Sequence, residues 1–377
     1  MNINILVVAR WPLGGIRTYM RYMFSHFPSN FRLTLLTVST QEDQALKIDA
    51  ERYQAELVSL KVENNSDFAK EIFKKLYRNR YDLIISQGFV SAIAVHFANV
   101  LARVPHMITI HGIVEPQYLE GLLSGLKRLI LKLVLQGASV LYGVSNDILE
   151  HVYSEFPSLR ENGPQSLIIP NGIEMADFSL TPEKPVNLRV MLAISDDVFL
   201  FGFFGRFMPQ KGFDLIIDAV DSLRHNHPNL RFAVIAVGSG DYIREYQISI
   251  SKKQLEPFFH FLPFQPMVHQ LYPQVDAIIM PSRWEASGLL AMESLCMETP
   301  LIASDCIGLR ETIADTPTYL FQTERFDHLA VAMNKCLLHC DNNRFHEFAI
   351  EARKRFDVSH SAKQLTNFID SLLNKNE

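Results

Sequence analysis

Short apolar runs alternate with longer amphipathic segments along almost the whole chain. Strands are predicted at the short runs: Ile3–Ala9, Leu33–Val38, Leu57–Leu60, Leu83–Ser86, His106–Ile110, Val140–Val144, Leu167–Ile169, Phe199–Phe204, Phe232–Val237, Phe258–Phe261, Ala277–Met280 and Leu301–Ala303. The segments between them have helical spacing, among them 16–27, 289–297, 326–340, 344–355 and 360–373. This alternation predicts an α/β protein with parallel sheets covered by helices on both faces.

The chain is too long for one ordinary hydrophobic core, so two domains are expected from its 377 residues. The alternation breaks between Pro170 and Leu188, in a stretch that includes Pro182 and Pro185. The domain boundary is therefore placed here, which predicts one domain over 1–178 and a second over 179–357.

Charge and composition exclude several classes of protein. The formal net charge is −5, and the absence of a basic block argues against a nucleic-acid partner. The opening apolar run Ile3–Ala9 is too short for a secretion signal or a membrane span. The four cysteines lack zinc-ribbon spacing, so a cytoplasmic protein with reduced thiols is expected.

The strongest candidate chemistry lies between the predicted strand Ala277–Met280 and the helix after it. A loop that feeds a helix amino terminus presents unpaired N–H groups to anions. Glu285 lies in this loop, and Glu293 follows eight residues later inside the helix. A phosphate at the helix tip would then have a carboxylate on each side, which suits a nucleoside diphosphate sugar. The alternative is an ordinary strand, loop and helix with two solvated acids.

Two cations follow the strand Phe199–Phe204. Arg206 and Lys211 are five residues apart and are separated by a turn that contains Pro209. Such a pair can converge on one pyrophosphate, although two solvated surface charges would look the same in sequence.

The first half has weaker candidates at predicted strand ends. Gly14 and Gly15 follow the first strand and could admit an anion to the next helix, or they could form a plain tight turn. They lack the G-x-G-x-x-G dinucleotide fingerprint. His111 follows the strand His106–Ile110, where its imidazole could donate to a sugar hydroxyl or shuttle a proton. A lone histidine is more often structural.

Residues 121–135 form a basic amphipathic segment that contains Lys127, Arg128 and Lys132. It could lie on a membrane surface. The alternative is a core helix whose basic residues share a solvated side, since so apolar a face also suits packing beneath a sheet.

In order, these features resemble the retaining glycosyltransferases of the GT-B fold, family 4. The matching positions are Gly14-Gly15, His111-Gly112, Val144-Ser145, Pro170-Asn171-Gly172, Gly205-Arg206, Lys211-Gly212, Gly238-Ser239-Gly240, Pro281-Ser282, Glu285, Gly288-Leu289, Glu293 and Pro300. The resemblance implies two Rossmann-like doubly wound domains that face each other across a cleft. It also implies a nucleotide-sugar donor on the second domain, an acceptor on the first, and a final segment 358–377 that crosses back to the first.

The resemblance further implies a role for each matching residue. Arg206 and Lys211 would bind the diphosphate, together with Gly14, Gly15 and the N–H groups at Gly288 and Leu289. Glu293 would bind the ribose, Glu285 would face the donor sugar as a catalytic group, and His111 would contact the transferred sugar. No Asp-x-Asp occurs, so no metal or other cofactor is expected.

The chain departs from the family's pattern at the donor sugar. The family commonly has Glu-Pro-Phe-Gly where this chain has Glu285-Ala286-Ser287-Gly288, so Ala286 and Ser287 predict a more polar wall and a different sugar choice. Pro263 stands where a glycine is usual, so the family's base contacts are not carried over to this loop.

The sequence therefore predicts a bacterial hexosyltransferase that extends a glycan, glycolipid or lipid-linked acceptor. We expect it in the cytoplasm, with peripheral contact to the inner face of the membrane through 121–135 as an open alternative. The other candidate functions are a GT-B sugar-nucleotide epimerase and a non-catalytic GT-B binding protein. A nicotinamide dehydrogenase fits least, because the glycine fingerprint is missing.

Overall fold

The computed structural model describes residues 2–40, 43–178, 187–265 and 267–374. The chain divides into two compact units. Unit 1 comprises residues 1–172 together with the C-terminal segment 358–377, and unit 2 comprises residues 173–357. The division thus falls at Gly172, a few residues before the predicted boundary at 178.

Unit 1 is built on a seven-stranded parallel sheet with the strand order β3-β2-β1-β4-β5-β6-β7. The strands are β1 Ile3–Ala9, β2 Phe31–Val38, β3 Glu56–Leu60, β4 Leu83–Gln87, β5 His106–Ile110, β6 Val140–Gly143 and β7 Gln165–Ile168. The order reverses direction between β1 and β4. Ligands of open α/β sheets bind outside the carboxyl ends of the strands at such a point.

Helices cover both faces of this sheet. They are α1 Gly15–Phe24, α2 Asp43–Arg52, α3 Asn65–Arg78, α4 Gly88–Ala98, α5 Ser124–Gln136, α6 Asn146–Glu155 and α7 Ser158–Asn162. One face of the central strands packs on α3 and α4 through a buried cluster that includes Leu6, Val8, Phe68, Ile72 and Val95. Leu6 and Val8 share that face because side chains alternate along a strand.

Unit 2 is built on a six-stranded sheet, again entirely parallel, with the order β10-β9-β8-β11-β12-β13. The strands are β8 Phe199–Phe204, β9 Phe232–Val237, β10 Phe259–Leu262, β11 Ala277–Met280, β12 Leu301–Ser304 and β13 Tyr319–Phe321. The helices are α8 Leu188–Met191, α9 Phe213–Asn226, α10 Ile243–Lys252, α11 Leu289–Cys296, α12 Leu309–Thr312, α13 Phe326–Leu338 and α14 Asn342–Arg355. Here the order reverses between β8 and β11.

The last helix, α15 Val358–Asn374, belongs to unit 1 and packs against α1. Val358, Ala362, Leu365 and Ile369 form its buried stripe at helical spacing. No helix in the described ranges combines the length and the apolar character that crossing a bilayer would require.

An aromatic cluster forms the centre of unit 2. Phe213, at the start of α9, is fully buried. Its ring centroid lies 4.9 Å from that of Phe203 and 5.1 Å from that of Phe207. The cluster therefore anchors the amino end of α9 against β8 and the loop that follows it.

Phe213→Ala is expected to destabilise unit 2 by about 3–5 kcal/mol, because it leaves a cavity at the centre of this cluster. The matched control is Phe326→Ala, whose side chain is half-exposed and should cost about 1 kcal/mol or less. Urea unfolding is followed in a Trp11→Phe background, in which Trp284 is the single tryptophan and reports on unit 2. Equal losses in the two variants would contradict the assignment of Phe213 to the core.

Candidate functional site

The donor-site residues predicted in the second half of the chain follow two neighbouring strands of unit 2. Arg206 and Lys211 lie in the loop after β8, and Glu285 lies in the loop after β11. Because β8 and β11 are adjacent and parallel, both loops leave the carboxyl-terminal end of the sheet, at the point where the strand order reverses.

A largely buried ion pair joins the two loops. Lys211 Nζ lies 2.6 Å from Glu285 Oε1, and the Glu285 residue is only 7% exposed. Ser282 Oγ donates a second hydrogen bond to the same oxygen, also at 2.6 Å. A buried carboxylate is costly without partners, and these two donors offset that cost.

The turn that carries Lys211 is held by close backbone packing. Residues 209–211 form one 3-10 turn that ends at Gly212, whose φ is 65°. A Cβ at Gly212 would overlap the carbonyl oxygen of Pro281, which follows β11. Glycine therefore lets the Lys211 turn lie directly against the end of β11.

Arg283 fixes the same turn from the loop after β11. Its guanidinium donates to both carboxylate oxygens of Asp214, at 3.0 and 2.6 Å, and to the carbonyl of Pro209. Its Nε donates to Glu324 at 2.7 Å. These carboxylates, chiefly Asp214, raise the pKa of Arg283. Sequence reasoning missed Arg283, although an arginine two residues before the candidate Glu285 was a signal.

The loop around Glu285 is also braced from β12 and α12. Glu285 N donates to Ile307 O at 3.0 Å, and Ser304 Oγ donates to Ser282 O at 2.6 Å. Ser287 is buried, and its carbonyl accepts a hydrogen bond from Thr312 Oγ1 at 2.5 Å.

The last residues of this loop lead into α11. Ala286 is half-buried, and Gly288 is the N-cap of the helix that begins at Leu289.

Glu293 lies inside α11, one turn beyond its first residues. Tyr272 OH donates to Glu293 Oε2 at 2.7 Å, and the Tyr272 ring packs on Phe204 with centroids 4.9 Å apart. Tyr272 is 1% exposed, so it orients the carboxylate from within the core. Sequence reasoning missed Tyr272, because nothing along the chain pairs it with a residue 21 positions later.

Arg206 is exposed, in contrast to Lys211. Its loop is held by the amides on either side, since Gly205 N donates to Val237 O at 3.1 Å and Phe207 N donates to Ser239 O at 2.9 Å. The structure thus places Arg206 at the same carboxyl-terminal end of the sheet as the Lys211–Glu285 ion pair, with its side chain exposed to solvent.

The remaining predicted residues belong to unit 1, at the ends of β1 and β5. Gly14 is the N-cap of α1, with φ 53° and ψ −127°, and Gly15 is the first helical residue. Added Cβ atoms at these two positions would have no heavy atom within 4 Å, so the turn borders open space.

His111 follows β5 and contacts two neighbours that sequence reasoning did not single out. Its Nε2 lies 2.6 Å from Gln87 Oε1, at the end of the adjacent strand β4. Its ring meets the edge of Tyr19 with centroids 4.7 Å apart. Burial lowers the pKa of His111 to about 3, so the imidazole is neutral at physiological pH.

Two family models match the chain. Residues 14–162 match the glycosyl transferase 4-like domain, and residues 187–355 match glycosyl transferases group 1. Each model matches less than half of the chain, the first half to one domain and the second half to the other, and both describe transferases that act on sugars.

Individual relatives agree with these matches. The chain is 28% identical over 261 residues to an uncharacterised glycosyltransferase of Methanocaldococcus jannaschii, in an alignment that covers 65% of this chain and 64% of the relative. It is 25% identical over 240 residues to the putative teichuronic acid biosynthesis glycosyltransferase TuaC of Bacillus subtilis, which covers 62% and 55%. The chain therefore matches less than two thirds of the length of these curated relatives.

The fold of the chain is that of solved GT-B structures. The Anabaena protein Alr3699/HepE, crystallised in complex with UDP-glucose, superposes with a TM-score of 0.82 at 20% identity, covering 98% of this chain and all of the other. Two parallel α/β domains of the Rossmann type, as predicted, are thus confirmed as the architecture.

Gly212→Ala is expected to destabilise unit 2 by at least about 1–2 kcal/mol, because an L-residue is strained at this φ and its Cβ would displace the end of β11. The control is Gly205→Ala on the same loop, whose Cβ would meet nothing closer than 3.7 Å and should change stability by less than about 1 kcal/mol. Both are measured by urea unfolding through Trp284. Similar stabilities for the two variants would refute the close packing of the Lys211 turn.

Proposed function

We propose that this protein transfers a sugar, with retention of anomeric configuration, from a nucleoside diphosphate sugar to a glycan, glycolipid or lipid-linked acceptor in bacterial polysaccharide or glycoconjugate synthesis. The observation that carries the proposal is the Lys211–Glu285 ion pair at the reversal point of the unit 2 sheet. It sets a cation and a carboxylate side by side at the position where open α/β sheets bind nucleotides.

The diphosphate is proposed to bind between Lys211, Arg206 and the amino end of α11. Cleavage of a glycosyl–phosphate bond leaves growing negative charge on the diphosphate. A preorganised ammonium, an exposed guanidinium and the N–H groups at Gly288 and Leu289 would stabilise that charge more in the transition state than in the ground state. These groups supply the electrostatics that the reaction needs, so we propose transfer without a metal or other cofactor.

Glu285 is proposed to act on the donor sugar as an electrostatic and positioning group. Its Oε1 accepts hydrogen bonds from both Lys211 and Ser282, which reduces the electron density available for nucleophilic attack. That arrangement suits stabilisation of positive charge on the sugar better than formation of a covalent bond. The polar wall expected at Ala286 and Ser287 would stand beside that sugar.

Glu293 is proposed to bind the ribose hydroxyls. Tyr272 holds one oxygen of its carboxylate from inside the core, which limits the carboxylate to one orientation. A rigid acceptor on a helix can discriminate a diol without the entropy cost of ordering a flexible side chain.

The relatives indicate which donor to test first. The Anabaena protein of the same fold was crystallised with UDP-glucose, and the Bacillus subtilis relative is assigned to teichuronic acid synthesis. We therefore propose UDP-sugars as the first donors. A thermal-shift panel of UDP-, GDP-, ADP- and CMP-sugars identifies the base, since specific binding raises the apparent stability.

Lys211→Met is expected to lower kcat by about 100- to 1,000-fold, because it removes a cation that stabilises the leaving diphosphate. Glu293→Gln is expected to raise the donor KM by about tenfold or more, because a charged hydrogen-bond acceptor becomes neutral. Both are measured as initial rates of sugar transfer in EDTA, with the anomeric configuration of the product read from proton NMR couplings.

Matched controls on the same unit are Lys253→Met, whose lysine is paired with Asp221, and Glu256→Gln on the surface. Wild-type kinetics in folded Lys211→Met and Glu293→Gln would refute the site assignment. Formation of an epimerised nucleotide sugar without acceptor would instead support the epimerase alternative. Donor binding without transfer or hydrolysis would support the non-catalytic alternative.

A second proposal concerns the helix predicted at 121–135. The structure buries one side of α5, including Leu131, Val134 and Leu135. The opposite side of the helix exposes Leu126, Leu129 and Leu133, and the turn before the helix exposes Leu122 and Leu123. Together these five residues form a leucine stripe outside the core. The simple core-helix alternative therefore accounts for only half of this helix.

The charges beside the leucine stripe favour an anionic lipid surface. Residues 121–136 contain no acidic residue, and Lys127 is exposed while Lys132 is half-buried. Arg128 is committed to the fold, because its Nη1 pairs with Glu155 Oε2 at 3.0 Å. We propose that the leucines enter the interface of the membrane and that the two lysines meet lipid phosphates, which would bring a lipid-linked acceptor close.

The double variant Lys127→Glu/Lys132→Glu is expected to weaken binding to phosphatidylglycerol vesicles by at least about 30-fold, since each lysine near the surface contributes about 1 kcal/mol. Flotation compares it with Lys252→Glu/Lys363→Glu, which changes net charge equally at exposed positions elsewhere. Leu126→Ser/Leu129→Ser should also lose binding. No flotation of the wild-type protein, or equal losses in both charge variants, would rule out this surface.

A further inference from the structure

A buried amide lies behind His111 in unit 1. Gln87 is the last residue of β4, and it is 3% exposed. Gln87 is the N-cap residue of α4, but its side chain makes no capping hydrogen bond to that helix. Its carboxamide oxygen lies instead 2.6 Å from His111 Nε2 on the adjacent strand.

The other end of the same amide is unsatisfied. Among the described residues, none accepts a hydrogen bond from Gln87 Nε2, although that atom is buried. A buried donor without a partner costs about 1–3 kcal/mol, which an apolar side chain of similar size would avoid. Such a group calls for a functional explanation.

We infer that Gln87 is a positioning residue for His111: by accepting a hydrogen bond from Nε2–H, it holds the ring as the tautomer whose lone pair is on Nδ1. The inference rests on the proposed function, because it takes His111 to contact the transferred sugar, as the family resemblance implies. Part of the His111 residue remains accessible, so Nδ1 can then accept a hydrogen bond from a sugar or acceptor hydroxyl.

The surroundings of His111 keep this arrangement independent of pH. The groups packed against the ring are neutral: Gln87 from β4, the Tyr19 ring from α1, and Tyr142 from β6 behind Tyr19. Burial, rather than a neighbouring charge, is the cause of the low pKa of His111. Between pH 5 and 8 the ring therefore stays neutral, with Nδ1 as its acceptor.

The test replaces the amide and reads out the tautomer directly. In Gln87→Met the acceptor is lost, and long-range nitrogen–proton NMR of the imidazole, assigned with His111→Asn, should show loss of the single Nε2–H form. In Gln87→Glu the carboxylate still accepts from Nε2–H but adds charge, so the pKa of His111 should rise and the pH profile of kcat should gain a new ionisation. Gln165→Met, at an exposed glutamine of the same unit, is the control.

Kinetics complete the test. Gln87→Met should lower kcat by about tenfold or more, which is the effect of one lost hydrogen bond in the transition state, while the affinity for UDP and UDP-glucose changes less than about twofold. Gln87→Glu should recover most of the activity at high pH, where His111 is neutral again. An unchanged tautomer in Gln87→Met, or a changed tautomer with wild-type kcat, would overturn the inference. A wild-type protein that transfers no sugar would contradict the proposed function instead, and the tautomer measurement would still decide the role of Gln87.

Discussion

The Lys211–Glu285 ion pair is the interaction on which the arrangement of unit 2 around its candidate site depends. It joins the loop after β8 to the loop after β11, and it is largely removed from water. A buried pair of this kind is stable only if its geometry is held by other contacts. Ser282 donates a hydrogen bond to the Glu285 carboxylate, and the turn at Gly212 packs against the Pro281 carbonyl. Arg283, in the loop after β11, donates a hydrogen bond to the Pro209 carbonyl in the loop after β8.

Arg283 is a charged residue with a structural role, because its hydrogen bonds hold the turn that carries Lys211. Its guanidinium is fully engaged by Asp214, Glu324 and a backbone carbonyl, so it has little capacity left for a ligand. Lys211 lies in the turn that Arg283 holds, and among the described residues its carboxylate partner is Glu285. Arg283 thus fixes the shape of the loop, and Lys211 is proposed to bind the diphosphate. A flexible lysine is better suited than a committed arginine to exchange a carboxylate for a phosphate.

The two units present different electrostatics at the carboxyl ends of their strands. Unit 2 collects Arg206, Lys211 and Glu285, which suits a ligand whose charge changes during reaction. Unit 1 presents a neutral histidine that is hydrogen-bonded to a neutral amide. Neutral hydroxyl groups need directional hydrogen bonds rather than charge, so this division is consistent with the expectation from the family resemblance that the donor binds the second domain and the acceptor the first.

Local sequence determined most of the fold. Strands such as Ile3–Ala9 and Ala277–Met280 could be predicted because a strand buried on both faces of a parallel sheet is a nearly continuous apolar run, which only Asn4 interrupts in these two strands. The short strand Tyr319–Phe321 could not, because it lies at the sheet edge with Leu320 exposed and has no such pattern. For the site, the glycine-containing turns and the predicted strand ends were enough to single out Lys211, Glu285 and Glu293 as candidates. Only the tertiary structure decided that Lys211 pairs with Glu285, that Tyr272 orients Glu293 and that Gln87 holds His111, because those contacts join residues 21 to 74 positions apart that meet only when the sheet brings its strands together.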